Sequence, residues 1–338
     1  MLEEKSRFLV CRPDRIGDVV LSTAIPRGLK QKYPHSFVAV LLREYTRDVY
    51  LNNPYVDEII LYEDSDDKFW EYVKLLRKFN FDYAFMLLPK EKLNWILFFS
   101  GIKHRIGVGH KFYQFITNTK SVYRYKYIPL RHEADYCLDM VRKLGINPES
   151  INPEIYLTLT ERMKVEEIKM KLCPAGEFLV GINTTSGQSA PNWYPNEYKI
   201  LIDALLKVPG IKIVVTDLNV PEELKNIDNV IYLNENNSLR DSIVNFSALD
   251  LLISASTGPM HIAAALKIKT LSLFSRETAC SPQLWGPLGN QAAILLPSEE
   301  DDKKYCFPDP KNYHFEGEGG ISPEKVLQET LKMLNIDL

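Results

Sequence analysis

Short β-branched or aromatic runs alternate along this chain with longer amphipathic stretches, and no other feature limits the possible folds as much. Strands that return to one sheet in one direction need helical crossovers, so the alternation predicts βα units and a parallel sheet. Two series are present. The first has strand candidates at Arg7–Arg12, Phe37–Leu42, Glu58–Leu61 and Asp82–Leu87, with helical patterns such as Gly17–Tyr33 and Asp66–Phe79 between them. The second has candidates at Glu177–Ile182, Ile211–Thr216, Asn229–Leu233, Asp250–Ser254 and Thr270–Phe274. A charged helical stretch, Thr160–Leu172, closes on Cys173-Pro174-Ala175-Gly176, a helix stop and hinge. The expectation is an α/β protein of two doubly wound domains facing a central cleft: residues 1–159, a linker at 160–176, and residues 177–338. A length of 338 residues suits two domains of roughly 150 residues each.

Charge and cysteine usage exclude several classes. Lys and Arg total 41 against 44 Asp and Glu, and a net charge of −3 gives no global field for a nucleic-acid backbone. Any anionic partner must be bound locally. The start, MLEEKSRFLVCR, lacks the basic flank and long apolar run of a signal peptide, and no stretch reaches the 18 or so apolar residues of a membrane span. Five cysteines (Cys11, Cys137, Cys173, Cys280, Cys306) show no Cys-x-x-Cys spacing, which argues against a zinc site or disulfide framework. These features predict a soluble protein of a reducing cytosol.

Ligands of open parallel sheets bind beyond the carboxyl ends of strands, which directs attention to the loops after Arg12, Ile182 and Ser254. The first, Arg12-Pro13-Asp14-Arg15-Ile16-Gly17-Asp18, enters a helix with Asp18 in its first turn, where an acid either complements the helix dipole or does chemistry. Gly17 is a loop glycine that would allow close approach. Neither Gly-x-Gly-x-x-Gly nor a Walker loop is present, which removes most support for a dehydrogenase or P-loop ATPase. The second, Asn183-Thr184-Thr185-Ser186-Gly187-Gln188-Ser189, is either a solvated polar turn or a set of hydroxyls and N–H groups for phosphate oxygens. In the third, Ser256-Thr257-Gly258-Pro259-Met260-His261, a cap and a first-turn proline open an alanine-rich helix whose N–H groups form an anion site. His261 is either structural or a donor to a phosphate.

Together these loops resemble the heptosyltransferase family of glycosyltransferases, the ADP-heptose-using enzymes of lipopolysaccharide core assembly. The resemblance extends through Pro26–Pro34, Arg105-Ile106-Gly107, Leu144-Gly145, Tyr194-Pro195 and Trp285-Gly286-Pro287, and is most specific over Ser256–Leu266. It implies two Rossmann-like domains of GT-B type, the first holding a lipid-linked acceptor and the second a nucleotide-sugar. It also implies inverting transfer with no cofactor and no metal. Asp18 corresponds to the general base, Thr184, Thr185 and Ser186 to the phosphate-binding loop, Glu222 or Glu223 to an acid on the ribose, and Asn237 to a backbone contact with adenine. Ser256, Thr257, Gly258, Pro259 and His261 complete the implied donor site. For Glu222 and Glu223 the ordinary first turn of a helix after Pro221 is the competing reading. The sequence departs from the family twice: Asn192 stands where a phosphate-binding lysine is usual, and Ser256 where an aspartate is usual. Either the donor differs, another cation such as Arg276, Arg15 or Arg12 reaches in, or catalysis is weakened.

From Lys92 to His132 the chain carries eight Lys or Arg and no acid, interleaved with aromatics. Either this segment meets an anionic, sugar-bearing or membrane-surface partner, or its aromatics are core and its cations a solvated rim. Arg15, Gly17, Lys103, Arg105 and Lys111 are the expected acceptor-binding residues. The combined expectation is a glycosyltransferase, cytoplasmic or peripheral on the cytoplasmic face of the inner membrane, taking a nucleotide-sugar donor and a lipid-linked or other glycan acceptor, with no nucleic acid. The alternative is a non-catalytic or weakly active nucleotide-sugar or glycan-binding homologue.

Overall fold

A computed structural model describes residues 4–187, 190–300, 313–315 and 319–337. Gln188 and Ser189 of the second loop, Cys306, and residues 301–304 of the charged run after Glu300 lie outside the described residues. The chain divides into two compact units, Met1–Tyr156 and Leu157–Leu338.

The first unit is a six-stranded sheet of β1 (Arg7–Cys11), β2 (Phe37–Leu42), β3 (Glu58–Leu61), β4 (Tyr83–Met86), β5 (His104–Val108) and β6 (Lys120–Val122), ordered β3-β2-β1-β4-β5-β6. The second has β7 (Phe178–Asn183), β8 (Ile211–Val215), β9 (Val230–Tyr232), β10 (Leu251–Ala255), β11 (Lys269–Leu273) and β12 (Ala292–Leu295), ordered β12-β11-β10-β7-β8-β9. Every pairing is parallel. Numbered within its own unit, each sheet runs 3-2-1-4-5-6, so strand order reverses at β1/β4 and at β7/β10. The loops after β1, β7 and β10 therefore all leave from reversal points.

The central strands read as unbroken apolar runs because both faces are covered. Phe8 to Cys11 and Leu251 to Ala255 are buried at every position. Around the first sheet lie α1 (Ile16–Leu21), α2 (Ala24–Lys32), α3 (Phe69–Phe79), α4 (Glu91–Phe99), α5 (Phe112–Ile116) and α6 (Glu133–Arg142). With the second are α7 (Leu159–Leu172), α8 (Pro195–Leu205), α9 (Leu239–Ser247) and α10 (Gly258–Ala265). Among the described residues no helix is long and apolar enough to cross a membrane.

Two expectations change. The single helix predicted over Gly17–Tyr33 is two, because the Ser22 and Thr23 hydroxyls donate back to Val19 O (2.7 Å) and Val20 O (2.8 Å) and end α1 there. β5, β6 and β12 were not predicted as strands: β5 reads His-Arg-Ile-Gly-Val, without the apolar run of a central strand. Its glycine is required by packing, since a Cβ on Gly107 would lie 2.9 Å from Gln114 Nε2 and 3.0 Å from Met86 Cε. The last described helix, Pro323–Leu334, packs within the second unit on α8, β11 and β12, and its Val326, Leu331 and Leu334 join that unit's core.

Helix α7 belongs to the second unit, packed on α9. Glu161 secures it twice: one oxygen caps the helix by accepting from Thr158 N (2.7 Å), and both meet Arg240 of α9 at 2.6 and 2.7 Å. The Arg240 guanidinium and the capping bonds hold the Glu161 carboxyl down at about 2, against an ordinary 4.5. Because the folded value is depressed, this stabilisation is full above the unfolded pKa and is lost as pH falls through about 2. Glu161→Gln should cost about 1 kcal/mol near neutral pH after solvent screening. Urea unfolding at stepped pH should show that the difference from wild type shrinks to about half or less by pH 3.

Candidate functional site

In the first unit the site is organised by Arg12, the residue directly after β1, whose side chain is only 4% exposed. Its Nη1 donates to Leu87 O at the end of β4 (3.3 Å), and its Nη2 donates to Asp18 Oδ1 and to Glu133 Oε1 (3.3 Å). Asp14 lies 3.7 Å from its Nε. Glu133, buried at the start of α6, also receives both arms of the Arg124 guanidinium at 2.7 and 3.0 Å. A guanidinium stripped of water needs partners of opposite charge, and the cluster supplies three carboxylates, Asp14, Asp18 and Glu133, beside the Leu87 carbonyl.

Asp18 stands in the first turn of α1 with its side chain 20% exposed. Burial pushes its carboxyl above the ordinary value, and the Arg12 guanidinium opposes that shift without cancelling it. A raised carboxyl pKa suits a group that must accept a proton near neutral pH. Gly17 is inside α1 and not in the loop before it, because the helix begins at Ile16. Arg15 is exposed beside them, with its backbone N–H on Asp14 Oδ1 at 2.9 Å.

The remaining predicted acceptor residues do not gather at this point. The register Tyr83↔His104 and Met86↔Gly107 puts Lys103 at the amino edge of the sheet, whereas Arg12 and Asp18 are at the carboxyl edge. Arg105 turns inward and donates to Ile102 O and Thr117 O, its guanidinium 5.2 Å from the Phe98 ring centre. Lys111 is exposed beyond the carboxyl end of β5. Within the acid-free segment, Lys92 pairs with Asp66 (2.7 Å), Arg124 with Glu133, and Arg131 with Asp135 (2.6 Å) and Asp139.

In the second unit the organiser is an anion. Asp217, which follows β8 after Thr216 and is 2% exposed, accepts from Asn183 Nδ2 (2.8 Å), Thr184 N (2.8 Å) and Oγ1 (2.9 Å), and Thr185 N (2.9 Å) and Oγ1 (2.6 Å). Burial raises its pKa, and the Thr185 and Thr184 donors work against the rise. The hydroxyl protons expected to meet a phosphate at Thr184 and Thr185 are thus directed at Asp217. Ser186 is half-buried just beyond them.

Asn192 is likewise engaged within the fold: its Nδ2 donates to Thr184 O (2.8 Å) and its Oδ1 accepts from Tyr198 OH (2.7 Å). Asn183 carries the network onward, accepting from Thr257 Oγ1 at 3.4 Å. Thr257 precedes α10, and its side chain makes no capping bond to that helix. Ser256, Gly258 and Pro259 are half-buried at its start, while His261 is 4% exposed in its first turn. Glu222 is a surface carboxylate, 83% exposed and paired with Lys225 at 2.8 Å. The Asn237 N–H donates to Asn234 O (3.1 Å) and its side chain to Leu233 O (2.6 Å). Of the cations considered as replacements at Asn192, Arg12 is committed to the first unit's cluster and Arg276 donates to Pro297 O at 3.0 Å. Among the described residues no group of three or more His, Cys, Asp or Glu could hold a metal ion.

Sequence reasoning missed Asp217, Glu133 and the inward role of Arg124. For Asp217 a signal existed: a carboxylate directly after the apolar run Ile211–Val215, at the carboxyl edge of the sheet. Asp217→Asn presents an amide N–H₂ to a cluster of donors, leaving at least one buried donor unpaired. The expected loss is about 2 kcal/mol of stability or more, read as a lower urea midpoint.

Comparison with known proteins adds identity to this geometry. Residues 69–312 match the sequence profile of glycosyltransferase family 9 (heptosyltransferase). The chain is 26% identical over 300 residues to a Haemophilus influenzae protein named only as a glycosyltransferase, covering 84% of this chain and 86% of that one. The fold is similar to that of a family 9 glycosyl transferase from Veillonella parvula (TM-score 0.80, 21% identity, 99% of each chain covered). It is also similar to that of the Escherichia coli ADP-heptose lipopolysaccharide heptosyltransferase II (TM-score 0.75, 20% identity, 97% and 98% covered). With a profile match spanning well over half its length, this chain belongs to glycosyltransferase family 9, the heptosyltransferase family.

Proposed function

We propose that this enzyme transfers a heptose from an ADP-sugar to a lipopolysaccharide-core-type or related glycan acceptor, with inversion at the anomeric carbon and without a metal. The observation that carries the reading is Asp18, a partly exposed carboxylate at a sheet reversal point with its pKa raised by burial. Arg12 holds Oδ1, so Oδ2 is the oxygen that takes the proton. The acceptor hydroxyl gives its proton to Asp18 as its oxygen bonds to the anomeric carbon. The bond from that carbon to the diphosphate breaks, and the nucleoside diphosphate leaves with the electron pair.

On the donor side, the uncapped start of α10 supplies N–H groups and the positive end of the helix dipole to the diphosphate, with His261 beside it. Since Asp217 takes the loop hydroxyl protons, Thr184 and Thr185 shape that pocket while α10 meets the charge. The Asn237 carbonyl is the group left to contact the base, and exposed Glu222 the one to contact the ribose. Arg15 and Lys111 would meet the acceptor. The acceptor's lipid would be met by peripheral contact at the cytoplasmic face of the inner membrane.

Asp18→Asn should abolish transfer while leaving the affinity for ADP-heptose nearly intact; retained turnover rules out the role. Donor binding without nucleoside diphosphate release by the wild type would indicate a binding protein. A pH profile tests the base separately. Transfer needs ionised Asp18, so kcat/KM should fall as pH drops through its pKa, with a midpoint above the ordinary aspartate value of about 3.9. Arg12→Met removes the opposing cation and should move this acid limb to higher pH.

A further inference from the structure

Helix α5 presents the wrong face to water for an ordinary crossover. Phe112, Phe115 and Ile116, spaced i, i+3, i+4, form one stripe, and they are 78%, 83% and 51% exposed. Gln114 is instead 1% exposed, donating to Val108 O (3.0 Å) and accepting from Lys111 N (2.9 Å). A helix crossing a sheet normally buries its phenylalanines and gives its glutamine to solvent. The turn after β6 continues the same theme. Tyr125, Lys126 and Tyr127 all take positive φ (45°, 54° and 61°), a backbone region that residues with side chains rarely occupy. Tyr125 and the following Ile128 are 69% and 74% exposed. The two segments are joined by ring contacts: His110, just before α5, lies 4.9 Å from Tyr123, which packs edge-on against Tyr125 at 5.0 Å.

The segment from Lys92 to His132 itself carries no acid, and Glu91 at the start of α4 is a carboxylate within electrostatic reach of Tyr113 on α5. The arginines of the acid-free segment are engaged, Arg105 inward and Arg124 and Arg131 with carboxylates. Lys111, the residue before α5, and Lys126, in the turn after β6, are exposed at the same edge of the sheet. Exposed aromatics rimmed by lysines complement a surface that offers both hydrocarbon and phosphate. A small anion would leave the phenylalanines uncovered. A two-fold contact between copies would bring the lysine rim against itself.

We propose that α5 and the Tyr125–Ile128 turn dock on an anionic phospholipid bilayer. Phe112, Phe115 and Ile116 enter the headgroup boundary while Lys111 and Lys126 meet lipid phosphates. This deepens the peripheral contact proposed above by naming its surface, and it is read by lipid binding alone. The full chain is tested by flotation with phosphatidylcholine vesicles, with and without about 30 mol% phosphatidylglycerol, at about 0.1 M and 1 M salt. Wild type should float with the anionic vesicles and lose binding at high salt. Phe112→Ser with Phe115→Ser, and separately Lys111→Glu with Lys126→Glu, should each lower the partition coefficient by about tenfold or more. Their unfolding midpoints should match wild type, because the side chains are exposed. Flotation unchanged in both variants overturns the proposal, as does no wild-type binding. A wild-type dimer that the phenylalanine variant converts to a monomer, with no lipid binding, would also overturn it and make the face an interface between copies. A chain that floats but transfers no sugar counts against the transferase reading alone.

Discussion

Parallel pairing is the constraint from which the rest follows. Once every strand in a sheet runs the same way, all of its crossovers re-enter from one edge, and the loops at the other edge are free to carry chemistry. Both sheets obey it with the same order, and in both a single buried ion organises the loops at the reversal point. In the first unit the ion is a cation, Arg12, which ties the ends of β1 and β4 to α1 and α6. In the second it is an anion, Asp217, which ties the loop after β7 to the end of β8. Under the proposed reading the cation steadies the carboxylate assigned as the base, and the anion orders a loop next to the start of α10.

Much of this was legible in the residues. Strands buried on both faces announce themselves as apolar runs, and Phe37–Leu42 ends where the sequence places it, as does the edge strand Glu58–Leu61 with its Ile-Ile-Leu run. The three loops could be picked out because glycine, proline and hydroxyl residues cluster directly after such runs. Strands β5, β6 and β12 were not: β5 mixes His104 and Arg105 with a glycine, β6 is only Lys120–Val122, and β12 is a short, half-exposed edge strand.

What local patterns do not carry is where a polar side chain points. Thr184 and Thr185 have the composition of a phosphate loop, yet their protons go to a residue more than thirty positions away. Arg105 reads as a surface cation beside other cations, and is turned inward by two carbonyls that only the folded sheet brings together. Lys103 and Lys111 are close in sequence but are separated by the length of β5. Asn192, the departure from the usual lysine, is used as a brace between Thr184 and Tyr198, so the missing charge is not restored at that position.

The five bonds to Asp217 also bear on how a ligand would be received. A loop whose two consecutive N–H groups and two hydroxyls are already fixed has few rotamers and few backbone states left to surrender. Association at such a loop forgoes most of the ordering entropy that a mobile loop would lose. If the donor binds where proposed, calorimetry would register chiefly the contacts made at α10, not the assembly of the loop beside it.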